Sequence, residues 1–274
     1  MKRLIHGLLV FGLLATHPAA AAPEADLWER WTAHDETSTE TIDHSAWTGF
    51  LGEYLQEDAE DVTRLDYGGV DQADQQRLDR YIERLAGVPI SDYSRSEQFA
   101  YWVNLYNAVT VDVVLEHYPV ESIRDIDISP GWFSSGPWGA KLVTVEGEEL
   151  SLDDIEHRIL RPIWSDPRIH YAVNCASVGC PDLQPQAFTP ENMEKQLDRA
   201  ARGYVNDSRG FTIDQNDDLI VSSIYEWFQE DFGGSELGVI KHLQKYADES
   251  GAAMIERRTE YDSHRYDWSL NDVQ

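Results

Sequence analysis

Four side chains in the middle of the sequence are of the types from which catalytic, metal or redox sites are built. Cys175 and Cys180 are the two cysteines of the chain, and His157 and His170 precede them. Two cysteines five residues apart favour a disulfide that closes a short loop, provided that the protein leaves the reducing cytosol. The alternatives are a thiolate nucleophile with a histidine as its base, and a zinc site made of the same four side chains. The spacing matches no familiar zinc finger, so we expect no metal and no cofactor.

A strand predicted from Ile169 to Cys175 bears on the thiolate alternative. Alternate side chains of a strand point to opposite faces, which separates His170 from Cys175. A direct pair between them then requires a bulge or an early end of the strand. His170 and Cys175 are therefore the candidate catalytic residues, with the disulfide between Cys175 and Cys180 as the favoured interpretation of the cysteines.

Uncharged polar side chains within apolar segments form a second group of candidates. Asn104 and Asn107 lie three residues apart in a predicted helix and so face the same direction. A buried amide without a partner costs about 1–3 kcal/mol, so we expect these side chains to bind loop backbone or to line a polar cleft. The candidate binding residues are Asn104, Asn107, His157, Asn174 and Ser177.

Several stretches of the chain resemble a known family. Residues 99–108 (FAYWVNLYNA), 152–161 (LDDIEHRILR), 170–181 (HYAVNCASVGCP) and 225–233 (YEWFQEDFG) are similar, in order, to sequence blocks of the domain of unknown function 547 family. The resemblance extends over roughly residues 90 to 232 and identifies the chain as an exported bacterial member. The name of the family implies no activity.

A weaker resemblance concerns topology. A helix followed by a strand that begins with histidine is similar to the order in papain-like and transglutaminase-like enzymes, in which a cysteine begins the helix. Ser96 stands at that position here, where it is better explained as a helix cap. The resemblance implies, as an alternative function, a hydrolase or acyltransferase that uses His170 with a cysteine or an activated water.

Hydrophobic periodicity predicts many helices and few short strands. We expect helices at 45–56, 71–85, 99–118, 152–164, 191–206, 224–232 and 239–247, and strands at 141–145, 169–175, 211–213 and 219–222. This set of predicted helices and strands indicates an α+β fold, a mostly helical single domain with a small antiparallel sheet. The expected segments are a signal peptide (1–21), an N-terminal helical extension (22–88), the family core domain (89–247) and a C-terminal extension (248–274).

The first residues of the chain have the pattern of a secretory signal peptide. A basic start is followed by an apolar run from Leu4 to Ala15 and by a small-residue stretch that ends at Ala22. The run is shorter than the roughly 20 residues of a membrane span. We expect cleavage near Ala21, a periplasmic or secreted soluble protein, and no stable membrane anchor.

The charge of the chain excludes two classes of partner. The sequence contains 50 Asp and Glu but 22 Lys and Arg, for a formal net charge of −28. A protein that binds nucleic acid or anionic lipid needs a basic surface, and this chain has no basic run. Five of the 22 cations are lysines, and a strongly acidic, lysine-poor surface suggests adaptation to concentrated salt. The expected partner is a small molecule or an envelope protein.

Overall fold

The computed structural model describes residues 23–58, 62–131 and 135–273. The signal peptide expected at residues 1–21 lies outside the described residues. The helices are α1 (Ser45–Tyr54), α2 (Gln72–Ala86), α3 (Arg95–His117), a π-helix (Asp154–Leu160) that continues into α4 (Arg161–Trp164), α5 (Ile169–Ala172), α6 (Met193–Val205), α7 (Ser223–Trp227), α8 (Glu236–Tyr246) and α9 (Glu249–Ile255). The strands are β1 (Leu55–Glu57), β2 (Thr63–Leu65), β3 (Val143–Val145), β4 (Glu148–Leu150), β5 (Phe211–Ile213), β6 (Leu219–Ser222) and β7 (Ser263–Arg265).

Helix α3 is the central element, and its sequence explains its position. Ser94 caps its first turn by accepting a hydrogen bond from the backbone N–H of Glu97. The Glu97 carboxylate does not complete a reciprocal capping box, because it accepts a hydrogen bond of 2.7 Å from the N–H of Ile42. Most of α3 is apolar on all sides and is buried from Phe99 to Val111. A helix of this kind must be covered by other elements.

The strands form small, separate sheets. Strands β3 and β4 pair antiparallel and are joined by a turn at Glu146 and Gly147, both of which have positive φ. Strands β5 and β6 also pair antiparallel and lie at the expected residues 211–213 and 219–222. The sequence did not reveal the antiparallel pair β1–β2 or β7, which adds to β6 in parallel. The structure thus confirms a mostly helical α+β fold with small sheets, one of which contains a parallel pair.

The strand predicted from Ile169 to Cys175 is wrong. Residues Ile169–Ala172 form the helical turn α5, which begins where the carbonyls of Asp166 and Pro167 accept hydrogen bonds from the N–H groups of Ile169 and His170. The local turn around Pro167 overrides the β preference of the residues that follow it. The alternation argument that separated His170 from Cys175 therefore does not apply.

Two clusters of buried side chains form the interior. The larger one surrounds α3 and includes Trp31, Trp47 and Leu85 from the expected N-terminal extension, together with Leu270 from the expected C-terminal extension. The smaller one contains apolar side chains of α6, β6, α7 and α8. Within the described ranges, no helix combines the length and the apolar character needed to cross a membrane.

Candidate functional site

A π-helix positions the first charged residues of the site. At its start Ser151 and Asp154 exchange hydrogen bonds, and the Lys141 ammonium also contacts the Asp154 carboxylate. At its end Pro162 supplies no N–H to the carbonyls of His157 and Arg158. Wide helical turns of this kind often occur at functional sites, and this one carries Glu156, His157 and, one residue past its end, Arg161.

Residues 23–32, here called the N-terminal strap, supply the donors that Pro162 lacks. The N–H groups of Asp26 and Trp28 donate to the carbonyls of His157 and Arg158, each at 3.0 Å. The Arg161 guanidinium donates to the carbonyl of Pro23 at 2.7 Å. The strap is thereby fixed to the π-helix, with its first described residue beside the charged groups.

His170 lies between two carboxylates. Its Nε2 is 2.7 Å from Oδ2 of Asp231, and its Nδ1 is 3.6 Å from Oε1 of Glu156. Arg161 donates from Nε to the same Asp231 oxygen at 2.6 Å. The imidazole also stacks on the ring of Phe228, with 4.4 Å between ring centroids, and is almost completely buried. These contacts fix the position of the ring between the two carboxylates.

The surroundings of these groups separate their pKa values. Burial opposes ionisation of Asp231, but hydrogen bonds from His170 and Arg161 outweigh it and lower its pKa to about 2. Burial likewise opposes the charge of His170, but the hydrogen bonds to Asp231 and Glu156 raise its pKa above the ordinary value. The buried ring of His157 has no comparably close carboxylate, so burial lowers its pKa to about 4. The surroundings therefore favour the protonated form of His170 and the neutral form of His157.

The cysteines form the expected disulfide. Cys175 and Cys180 are bonded to each other, and the N–H of Cys175 donates to Sγ of Cys180 at 2.9 Å. Arg209 holds the loop by donating to the carbonyls of Val178 and Cys180 at 3.2 Å each, and it pairs with Asp182. Because each sulfur is bonded to the other, the oxidised protein has neither a thiolate nucleophile nor thiolate metal ligands. Within the described ranges, no three His, Cys, Asp or Glu side chains form a group that could hold a metal ion.

A cavity of about 500 Å³ is lined by several of the charged groups of the site and by the disulfide. Its charged and polar lining includes Arg124, Asp153, Glu156, His157 and His170, and both cysteines also line it. Its aromatic lining consists of Tyr106, Trp138, Trp227, Phe228, Tyr266 and Trp268. His170 and Cys175, which the strand prediction separated, thus border the same space.

Part of the chain matches a known family. Residues 90–205 match the family described as protein of unknown function, DUF547. This segment of the chain is similar to DUF547 proteins. No curated protein and no solved structure matches the chain. The stretch at residues 225–233, which also resembles the family, lies beyond the matched segment.

The stretches that resemble DUF547 converge on the cavity. The first contributes Tyr106, the second Glu156 and His157, and the third His170 and the disulfide. The fourth contributes Trp227 and Phe228, and its Asp231 is the partner of His170. The four stretches that resemble the family therefore contribute to one site.

The two asparagines of α3 organise the site without lining it. Asn107 accepts from the N–H of Asn174 at 2.8 Å and donates to the carbonyl of Ala172 at 2.9 Å. Asn104 makes the equivalent pair of bonds to the backbone of Phe188, at 2.8 and 2.9 Å. Both side chains are buried, and neither belongs to the described lining of the cavity. They have the backbone partners that buried amides require.

Asn174 and Ser177 shape the disulfide loop. Asn174 donates to the carbonyl of Pro181 at 2.7 Å and accepts from the N–H of Ala176 at 2.8 Å. The Ser177 hydroxyl lies 2.8 Å from the Tyr266 hydroxyl. Tyr266 lines the cavity, whereas Asn174 and Ser177 are not among its described lining residues.

Sequence reasoning did not single out several residues of the site. Asp231 lies 61 positions from His170, and spacing alone could not pair them. Asp153, Trp138, Tyr266 and Trp268 are also part of the lining. The last two belong to the expected C-terminal extension, whose density of aromatic residues was the one signal available.

Proposed function

We propose that this protein is an exported, disulfide-stapled binding or accessory module of the cell envelope that holds a small molecule in its aromatic cavity. The position of His170 carries the proposal. Both of its ring nitrogens face carboxylates, of Glu156 and Asp231, and these contacts favour the protonated form of the ring, which has no lone pair with which to accept a proton. A general base needs such a lone pair.

The cavity supports binding by its size and its lining. Pockets for small ligands have volumes of roughly 300–1,000 Å³ and combine apolar walls with a few polar groups. The cavity here, of about 500 Å³, has aromatic walls and places Glu156 and Asp153 among its polar groups. The disulfide and Arg209 hold one wall in place, which reduces the ordering required when a ligand enters.

Calorimetric titration of the oxidised protein tests this function. The probes are cellobiose (neutral), choline (cationic), benzoate (anionic) and p-cresol (aromatic). We expect at least one to bind saturably to the wild type and to lose at least tenfold in affinity in Val173→Phe, which fills part of the cavity. Leu237→Phe, at an exposed position of α8, is the control. If no probe binds, or if binding survives Val173→Phe unchanged, the proposal fails.

One observation favours a second candidate, a thiol hydrolase or acyltransferase that is active after reduction. His170 and Cys175 line the same cavity. A freed Cys175 thiolate would attack an ester carbonyl and expel the alcohol, forming a thioester that water then hydrolyses. Release of p-nitrophenolate from p-nitrophenyl acetate by the reduced protein, and its loss in Cys175→Ser but not in Cys180→Ser, would support this candidate. Equal rates in the reduced wild type and in Cys175→Ser would exclude it.

A further inference from the structure

We infer that the cavity takes an uncharged saccharide of one or two sugar units. The inference rests on the binding function proposed above and adds the chemical class of the ligand. Three properties of the lining support it: the arrangement of the aromatic rings, the balance of charge and the presence of carboxylate hydrogen-bond acceptors.

The aromatic rings form a continuous wall around Trp268. The Trp227 and Trp268 rings stack at 28° with 5.6 Å between centroids, and Tyr266 lies 4.6 Å from Trp268. Trp138 meets Trp268 edge-on at 5.8 Å. Each of these side chains is only partly buried and lines the cavity. The negative faces of such aromatic rings attract the weakly positive C–H groups of a sugar ring. Stacking also buries the apolar face of the sugar against the aromatic ring.

The charges that border the cavity balance one another. Glu156 and Asp153 contribute negative charge; burial and the neighbouring Glu156 raise the pKa of Asp153 to about 6, so it is still mostly ionised at pH 7. The contacts of His170 with carboxylates favour its cationic form, and Arg124 adds a guanidinium that lies 5.2 Å over the Trp268 ring. Behind the lining, Asp231 and Arg161 form a further opposite pair. A neutral ligand therefore fits better than an ammonium or a carboxylate.

The polar part of the lining includes two carboxylates that can accept hydrogen bonds. The Glu156 carboxylate is buried, with Oε1 facing His170, and it also interacts with the Tyr106 hydroxyl. Asp153 is partly exposed, and its Oδ1 lies 3.7 Å from Nε2 of His157. A carboxylate offers about four acceptor sites, so the partly exposed Asp153 can accept hydrogen bonds from a ligand. Sugar hydroxyls can donate hydrogen bonds to carboxylates. An aromatic hydrocarbon would displace the water bound to these groups without replacing its hydrogen bonds.

The test is a titration of the oxidised, processed protein followed by tryptophan fluorescence. The sugar probes are cellobiose, N,N′-diacetylchitobiose and trehalose, and the non-sugar probes are choline, benzoate and p-cresol. We expect at least one sugar to bind saturably, and Trp268→Ala and Trp227→Ala each to lower its affinity by tenfold or more. Trp164→Phe, which changes a tryptophan outside the described lining, should leave the affinity within twofold.

The outcomes separate this inference from the function on which it rests. If a non-sugar probe binds in a Trp268-dependent manner and no sugar does, the binding function stands and the saccharide inference is wrong. If no probe of either kind binds, both are wrong. Circular dichroism and thermal unfolding check that the alanine variants fold. Trp268→Phe, which keeps an aromatic face, should retain most of the affinity for the sugar if ring stacking provides that affinity.

Discussion

Nε2 of His170 lies 2.7 Å from Oδ2 of Asp231, and the same oxygen accepts a hydrogen bond from Arg161. His170 and Arg161 thus share one carboxylate, which lies behind the lining of the cavity, while Glu156 faces the other nitrogen of the ring. Breaking a buried pair by removing one partner is strongly destabilising because the other charge remains buried. The cluster therefore contributes to the stability of the fold, and its His170 and Glu156 also line the cavity.

The stability of the protein should depend on pH through Asp231. Its pKa is lowered to about 2 in the folded state, so its contribution is present above pH 4 and is lost as the pH falls from 4 towards 2. The shift corresponds to roughly 2 kcal/mol. When the urea midpoint of unfolding is plotted against pH, its decline below pH 4 (the acid limb) should be smaller in Asp231→Asn than in the wild type. Asp127→Asn, at an exposed position, is the control, and identical acid limbs in all three proteins would contradict the prediction.

His170 should give the opposite dependence at higher pH. Its pKa is raised above the usual 6.5 by Asp231 and Glu156, against the effect of burial. Its contribution to stability is fully present below pH 6.5 and is lost as the pH rises through the raised pKa. His170→Gln should abolish that alkaline decline when urea midpoints are measured from pH 6 to 9. A decline of the same size in the variant would show that another group causes it.

Asn107→Ala should destabilise the fold. The substitution leaves the Ala172 carbonyl and the Asn174 N–H without their partner in a buried region. A loss of about 2–4 kcal/mol in the free energy of unfolding is expected. Asn216→Ala, in the exposed turn between β5 and β6, should cost far less. A loss below about 1 kcal/mol for Asn107→Ala would mean that solvent replaces both bonds.

Several elements were predictable because local signals determine them. Asp71 and Ser94 cap α2 and α3 by accepting hydrogen bonds from the third residue after each. The strands at 141–145, 211–213 and 219–222 were likewise predicted from the sequence, and β3, β5 and β6 lie within those ranges. The strand at 169–175 was wrong because Asp166 and Pro167 set a turn that overrides residue preferences. The disulfide was correctly expected, but the expected separation of His170 from Cys175 was wrong, because both line the same cavity.

The charged groups that line the cavity and lie behind its lining were not predictable in the same way. The partnership of Asp231 with His170 and that of Pro23 with Arg161 join residues far apart in the chain. No spacing rule identifies such pairs. The aromatic wall likewise depends on Tyr266 and Trp268 returning to the core, because the final segment pairs with β6 and with the disulfide loop.

Arg209→Lys should make the disulfide easier to reduce. Arg209 donates to two carbonyls of the disulfide loop and pairs with Asp182, a set of contacts that one ammonium cannot reproduce. We expect thiol release by dithiothreitol, followed with a thiol reagent, to be severalfold faster than in the wild type. Arg199→Lys, at an exposed position of α6, is the control. An unchanged rate would show that the loop is held without Arg209.

Concentrated salt should stabilise the protein. The net charge of −28 arises from an excess of carboxylates, and salt screens their mutual repulsion to within roughly 3 Å at 1 M. The urea midpoint should rise between about 0.1 and 2 M NaCl, more than it does in an equivalent concentration of sucrose. A fall in the midpoint with salt would contradict the proposed adaptation to a saline medium.

The protonation of His170 tests the central claim most directly, because the proposed binding function depends on the ring having no free lone pair. Nitrogen-15 spectra of labelled protein at pH 7, with His170→Gln to assign the signals among the nine histidines, report the state of each ring nitrogen. We predict that His170 keeps both nitrogen-bound protons to a higher pH than an ordinary histidine, since Asp231 and Glu156 raise its pKa against the effect of burial. A neutral ring with one unprotonated nitrogen, titrating near 6.5, would contradict this and would favour His170 as a catalytic base.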